Sequence, residues 1–230
     1  EKIATKFVGV SEDTRINVKI KSIQETEING TGPTISKENL EELEGILSGL
    51  TEKDTVIFSG SAPSKLGNQV YNTLIPIAKE VGAAVVCDFE GQTLLDSLAY
   101  QPLLVKPNNH ELAEIFNVKL DSIKDIEKYA REVLAKGAQN VIISMAGDGA
   151  LLVTTDATYF AKPIKGNVKN SVGAGDSMVA GFTGYYVKSG DPVEALKWGV
   201  ACGTATTFSD DLATADFIKE TYEKVEVEKL

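Results

Sequence analysis

The sequence predicts an α/β protein built on a mostly parallel central sheet with helices on both faces. Three observations carry that prediction. Short apolar runs at Thr55–Phe58, Ala83–Asp88, Leu103–Val105 and Val141–Ser144 have the look of strands buried on both faces. Between them lie segments with apolar residues at helical spacing, such as Leu66, Val70, Leu74, Ile77 and Val81. The connections are short, and strand alternating with helix implies βαβ units.

The totals narrow the function classes. A chain of 230 residues holds one large domain or two small ones, and it is read as a single domain over 1–230. With 43% hydrophobic and 24% charged residues it has the profile of an ordinary soluble globular protein. A net charge of −10 argues against a nucleic-acid partner. No run approaches the roughly 18 apolar residues of a membrane span, and no basic, apolar leader suggests secretion. Cys87 and Cys202 sit in apolar contexts and read as reduced core thiols, which fits a cytoplasmic home. His110 is the single histidine, which excludes a multi-histidine metal site.

In chain order, Lys6–Ile28 reads as strands. Thr14 to Ile20 alternates polar and apolar, so one face is buried while Arg15, Asn17 and Lys19 share the other. Glu27–Pro33 is a loop. A helix from about Ser36 to Gly49 carries the stripe Leu40, Leu43, Leu47, with Ser36 as N-cap. The strand at Thr55–Phe58 ends in Ser59-Gly60-Ser61-Ala62-Pro63, a tight turn by composition. Loops at strand C-termini are where open α/β sheets bind ligands. The helix over Leu66–Val81, the strand Ala83–Asp88, a short helix Gly91–Ala99 and the strand Leu103–Val105 repeat the pattern. Lys106-Pro107-Asn108-Asn109-His110-Glu111 follows. Asn108 and Glu111 have capping-box spacing at the start of a helix running to Phe116; His110 between them reads as a surface residue.

A helix over Ile123–Ala135 precedes the strand Val141–Ser144. That strand ends at Met145-Ala146-Gly147-Asp148-Gly149-Ala150, whose Gly-Asp-Gly suits a hairpin turn. Leu151–Val153 and Ala157–Ala161 read as hairpin arms. Lys162, Lys165 and Lys169 come next, as solvated charges or as approaches to a phosphate. Asn170-Ser171-Val172-Gly173-Ala174-Gly175-Asp176-Ser177 then opens a helix-like run. Gly173 and Gly175 permit positive φ and close backbone approach. The N–H groups here and in the first helical turn form an anion pocket at the positive end of the helix dipole. Asp176 stands beside it, in reach of an attacking hydroxyl's proton. A tight turn with Asp176 as an ordinary first-turn residue accounts for the same spacing. A helix from Pro192 to about Phe208 contains Gly203-Thr204-Ala205-Thr206-Thr207, small residues that suit either close packing or the flat wall of a nucleotide pocket. The helix Asp216–Tyr222 and a charged tail, Lys224–Leu230, finish the chain.

Asn-Ser-Val-Gly-Ala-Gly-Asp-Ser closely resembles the second signature of the PfkB (ribokinase-like) carbohydrate kinases. Four further stretches match in order: Thr14 to Lys19, Ser59 to Pro63, Lys106 to Glu111 and Ser144 to Ala150. Within the family the segment Gly203–Thr214 is most similar to bacterial 1-phosphofructokinases. The resemblance implies a ribokinase-like fold with a partial β lid over about 5–32. It implies ATP and Mg²⁺ as cofactors and a phosphorylated ketohexose as acceptor, most closely fructose 1-phosphate. By the same resemblance Asp176 is the catalytic base, and Gly173, Ala174 and Gly175 form the anion hole. Arg15, Ser59 and Gly60 hold the sugar phosphate. Lys106, Asn108, Ser144, Gly147, Asp148, Gly149, Ala150, Gly175 and Thr204 line the nucleotide, and Glu111 reaches the metal through water.

Relatives in this family often pair through the lid strands, so a homodimer through that segment is an expectation too. Family members begin well before the position matching Glu1, and the chain does not begin with Met. The N-terminal part is therefore expected to be missing, with ATP binding kept and turnover poor. Tagatose-6-phosphate kinase and 6-phosphofructo kinase are the alternatives within the family. A non-catalytic nucleotide sensor on the same scaffold is the alternative of another class, and such a sensor has no need of the Asp176 carboxylate.

Overall fold

The computed structural model describes residues 3–20 and 26–230. The stretch 21–25, inside the segment predicted as strands, lies outside the described residues, as do the side chains of Lys19 and Glu27. The chain forms two compact units. The first comprises Glu1–Val56 and Gly60–Ala84, and the second Ile57–Ser59 and Val85–Leu230.

In the first unit, β1 (Asn17–Ile20) and β2 (Thr26–Asn29) form a two-stranded antiparallel sheet of their own, with Val18 opposite Ile28. Strand structure is thus shorter than the predicted Lys6–Ile28, for residues 6–16 run without it. The buried face expected from the alternation is not covered either. Val18, Ile20 and Ile28 are 44%, 46% and 57% exposed, as a two-stranded sheet with no third strand among the described residues leaves them. Helix α1 (Lys37–Ser48) starts in a reciprocal capping box. The Asn39 N–H donates to Ser36 Oγ at 3.2 Å and the Ser36 N–H to Asn39 Oδ1 at 3.1 Å. Asn39 Nδ2 also ties down the Gly9 carbonyl at 2.8 Å. Helix α2 (Tyr71–Glu80) begins later than its apolar stripe predicted, because residues 68–70 form a 3₁₀ turn instead.

The central sheet runs β3 (Thr55–Ser59), β4 (Ala84–Asp88), β5 (Leu104–Val105), β6 (Asn140–Ser144), β7 (Ala150–Thr154), β8 (Thr158–Ala161), β9 (Val227–Lys229), in that spatial order. The pairs β4–β5 and β5–β6 are parallel, and the meander from β6 to β9 is antiparallel. Three features differ from expectation. Strand β3 is an edge strand, so Ile57 is 43% exposed rather than buried on both faces. Leu151–Val153 does not merely begin a hairpin with Ala157–Ala161, because β7 pairs with β6 as well. The charged tail contains strand β9; Val225 just before it is buried and Val227 packs against the core, while Lys162 bridges to Glu226 at 3.2 Å and Glu228 at 3.5 Å.

Strand side chains explain why both faces need helices. In β4, β6 and β7 consecutive residues are all nearly inaccessible, among them Val85, Val86, Ile142, Ile143, Leu151 and Leu152. One set (Val86, Ile142, Leu152) packs with Val179 and Phe182 of α6 (Ala174–Ser189) and Leu196 and Ala201 of α7 (Pro192–Thr207). The alternate set points the other way, where α4 (Asn109–Phe116) and α5 (Ile123–Ala135) supply buried Leu112, Ile126, Ala130 and Val133. Helix α3 (Gly91–Ser97) connects β4 to β5, and α8 (Ala215–Tyr222) packs on α7. This layered arrangement leaves the C-terminal ends of β3, β4 and β5 at one rim, which is where the polar residues collect.

Candidate active site

The rim is built from strand ends and one helix start. Ser59 ends β3, Asp88 ends β4, Lys106 follows β5, and Asp176 lies in the first turn of α6. All four belong to the second unit. Lys106 Nζ lies 3.3 Å from Asp88 Oδ1, with side chains only 9% and 14% exposed. Ser59 Oγ reaches Asp176 Oδ1 in a long contact of 3.4 Å. Burial pushes the Asp88 carboxyl above its usual range, Lys106 pulls it back, and the Asp176 charge adds a smaller upward push.

The start of α6 refines the anion pocket. Gly173 is the N-cap at φ +78°, the left-handed conformation that glycine supplies. Gly175 does not share it, contrary to the expected positive φ, for it lies in the helix. Its lack of a side chain serves an approach instead. A Cβ there would meet Lys106 Nζ at 3.3 Å and Cε at 3.6 Å. The missing side chain therefore leaves the room beside the first helical turn that the lysine ammonium occupies. Ala174 N–H donates to the Ser171 carbonyl at 3.2 Å, and Ser177 N–H to the Gly173 carbonyl at 2.8 Å. The N–H groups of Gly175 and Asp176 are those that helix geometry leaves without intrahelical acceptors.

The loop before α6 is held to the end of α7. Lys169 N–H and Asn170 N–H both donate to the Thr207 carbonyl, at 3.0 and 3.2 Å, and Lys169 Nζ pairs with Asp210 at 3.0 Å. A Cβ on Gly203 would come within 3.0 Å of the Ala174 carbonyl, so the small residues of α7 do give close helix packing. Thr204, next to Gly203, is half-buried beside that contact.

Asn108 and Glu111 make the predicted capping box. Asn108 Oδ1 accepts from His110 N–H at 2.8 Å and Glu111 N–H at 2.9 Å. Glu111 Oε2 accepts from Asn108 N–H at 2.9 Å and Oε1 from Asn108 Nδ2 at 2.6 Å. Burial raises the Glu111 pKa, against the backbone hydrogen bond from Asn108 and the nearby Lys106 charge. Among the described residues no group of three His, Cys, Asp or Glu side chains is arranged to hold a metal. A carboxylate with both oxygens already in hydrogen bonds fits a magnesium ion that keeps its waters and takes its other ligands from phosphates.

Ser144 joins this edge. Its N–H donates to the Pro107 carbonyl at 3.2 Å, and it bridges in parallel to Asn108. The following turn puts Ala146, not Gly147, in the left-handed region at φ +48°. The Asp148 N–H donates to the Met145 carbonyl at 2.9 Å, and Ala150 is buried in β7. Gly149 sits at φ +100°, and a Cβ there would be 2.3 Å from the Ala161 carbonyl. Gly149→Ala is accordingly expected to destabilise the fold by on the order of 3 kcal/mol, read as a lower urea midpoint with unchanged m-value. Arg15 and Gly60 lie in the first unit. Arg15 is exposed and runs along Gly30 and Gly32, while the Gly60 carbonyl accepts from Tyr71 Oη at 3.3 Å.

Asp88 is the member of the rim that sequence reasoning missed. The signal available was its place at a strand C-terminus in a parallel sheet, the same rule that pointed to Ser59.

Known proteins are similar to this chain over most of its length. The chain is 44% identical over 230 residues to the 1-phosphofructokinase of Bacillus subtilis, covering 100% of this chain and 76% of that protein. It is 36% identical over 231 residues to the D-tagatose-1-phosphate kinase of Bacillus licheniformis, again covering 100% of this chain and 76% of the other. Among solved structures, phosphofructokinase-2 from Escherichia coli in complex with substrates and products superposes with a TM-score of 0.82 at 28% identity, over 87% of this chain and 66% of that one. The model of the pfkB family carbohydrate kinases matches residues 1–216. A match over that much of the chain, with an α/β sheet whose strand ends gather a lysine, a helix start and an aspartate, makes this chain a member of the pfkB family of carbohydrate kinases and a phosphotransferase with an alcohol acceptor.

Proposed function

We propose that this kinase transfers the γ-phosphoryl group of ATP to a hydroxyl of a ketohexose phosphate, with fructose 1-phosphate as acceptor and fructose 1,6-bisphosphate as product. The observation that carries the chemistry is Asp176 in the first turn of α6, one residue from Gly175, beside which Lys106 is seated. The acceptor reading leans on the Bacillus subtilis relative named a 1-phosphofructokinase. D-Tagatose 1-phosphate is the second acceptor to consider, because a relative of equal coverage carries that name.

The chemistry asked of the residues is simple. The acceptor oxygen attacks the γ-phosphorus, the bond to the β-phosphate oxygen breaks, and ADP leaves. Asp176 takes the hydroxyl proton. The N–H groups of Gly175 and Asp176 and the Lys106 ammonium face the charge spread over the phosphoryl oxygens, while the Ala174 N–H expected in the anion hole is taken by the Ser171 carbonyl. Asn108, Ser144, Gly147, Asp148, Gly149, Ala150 and Thr204 are the residues we assign to the nucleotide. Arg15 suits the sugar's own phosphate, since a planar guanidinium binds phosphate bidentately; Ser59 and Gly60 suit the sugar. Glu111 would hold magnesium through water, and the ion would neutralise phosphate charge.

The test is ATP-dependent phosphorylation of fructose 1-phosphate, D-tagatose 1-phosphate, tagatose 6-phosphate and fructose 6-phosphate in parallel. The highest kcat/KM is expected on fructose 1-phosphate. Preference for a 6-phosphate would overturn the acceptor assignment, and nucleotide binding without transfer to any of the four would favour a sensor.

A further inference from the structure

Lys106 needs something to hold it. A lysine ammonium ends a flexible four-carbon stem, and fixing it costs rotamer entropy. Around this one stand carboxylates of different consequence. Asp88 is in contact at 3.3 Å, Glu111 lies within electrostatic range, and Asp176 is one residue from Gly175, where a Cβ would lie 3.3 Å from the ammonium. A Lys106 that swung onto Asp176 would neutralise the base, and one that swung onto Glu111 would leave the helix start. Asp88 ends a strand whose Val85, Val86 and Cys87 are fully buried, so its own position is set by the sheet.

We infer that Asp88 is a positioning residue for phosphoryl transfer, holding the Lys106 ammonium beside Gly175 and away from Asp176. The inference rests on the function proposed above and adds to it a residue that acts through Lys106. With ATP bound, the phosphoryl oxygens share the ammonium with Asp88, which keeps it aimed as charge develops.

The test is a double-mutant cycle of Asp88→Asn and Lys106→Met, read as kcat, KM for ATP and nucleotide Kd by calorimetry. Misplacing a reacting or stabilising group by about 1 Å costs up to about 100-fold. Asp88→Asn alone should therefore lower kcat about 10- to 100-fold. In the Lys106→Met background the same change should cost less than about 2-fold, because there is no ammonium left to position. The magnesium concentration for half-maximal rate should be unchanged by Asp88→Asn. Three results would overturn the inference: Asp88→Asn indistinguishable from wild type, a loss that persists undiminished without Lys106, or a loss rescued by excess magnesium. Thermal melts accompany each variant. If Asp88→Asn melts below the assay temperature, Asp88→Glu takes its place in the cycle. Failure of the proposed function is separable, since wild type would then phosphorylate no ketohexose phosphate, while the Kd cycle with ATP still reads the coupling of Asp88 to Lys106.

Discussion

Asp176→Asn is expected to lower kcat by about 10³-fold, within the range that a positioned general base contributes. The KM for ATP should stay within about 3-fold, because asparagine keeps the shape of the side chain and the anion pocket is made by backbone. The change removes only the capacity to accept a proton. Structural damage does not confound the reading at this position. Asp176 is exposed, and the helix it opens is fixed by the Ser177-to-Gly173 bond and by packing of α6 on α7. The loss of a first-turn carboxylate costs the helix about 0.5 kcal/mol. A kinetic measurement with calorimetric ATP binding in parallel separates the two terms. Retained binding with lost turnover is the expected pair.

Lys106→Met should have the second large effect, and it should appear in both rate and stability. Removing a full charge from the phosphoryl site is expected to lower kcat about 10²- to 10³-fold, as for other groups aimed at developing transition-state charge. Methionine fills much of the volume of the lysine stem, so packing changes little. The buried partner Asp88 is left alone, however, and stranding one member of a buried pair costs on the order of 3 kcal/mol. The pH dependence follows from the direction of the Asp88 shift. Its pKa is raised by burial even with Lys106 present, and losing Lys106 removes two influences that lower it. The folded form then binds a proton more readily than the unfolded chain. The stability deficit should therefore be small below the wild-type Asp88 pKa, itself above the ordinary carboxylate range, grow as pH rises past it, and level off above the further-raised pKa of the variant. Urea midpoints of the variant and wild type at pH 4, 6 and 8 would read it. A constant deficit would mean that Asp88 is not the group left stranded.

How much of this was legible in the sequence depended on the range of the interaction. Local rules worked. The caps at Ser36 and Asn108 formed as their spacing predicted, and α5 runs over Ile123–Ala135 as expected. Gly173 took the positive φ that its turn required. Gly175 shows where local reasoning stops. Glycine serves either a backbone conformation or a close approach, and only the position of Lys106, about seventy residues earlier, distinguishes them. Asp88 was missed for the same reason. An aspartate at the end of an apolar run looks like an ordinary turn residue, and nothing in the spacing of 88 and 106 announces an ion pair.

Burial was the other blind spot. Thr55–Phe58 has the apolar composition of a central strand, yet β3 lies at the sheet edge. Val225 to Lys229 has the alternation of a strand, but its glutamates and lysines gave it the composition of a tail. Pairing with β8, and the Lys162 that follows it, are what make it β9. The Lys6–Ile28 segment shows the opposite error. The segment reads as strands, with clear polar/apolar alternation over Thr14 to Ile20, but only residues 17–20 and 26–29 find a partner among the described ones.

The central claim is that phosphoryl transfer occurs at the start of α6, between Asp176 and the Lys106-backed helix turn. A crystal structure with ADP, aluminium fluoride and fructose 1-phosphate would test it most directly. The account predicts the fluoride group on the N–H groups of Gly175 and Asp176, within hydrogen-bond distance of Lys106 Nζ, with the acceptor hydroxyl on an Asp176 carboxylate oxygen. A fluoride group bound away from α6, or an acceptor hydroxyl facing a residue other than Asp176, would contradict it.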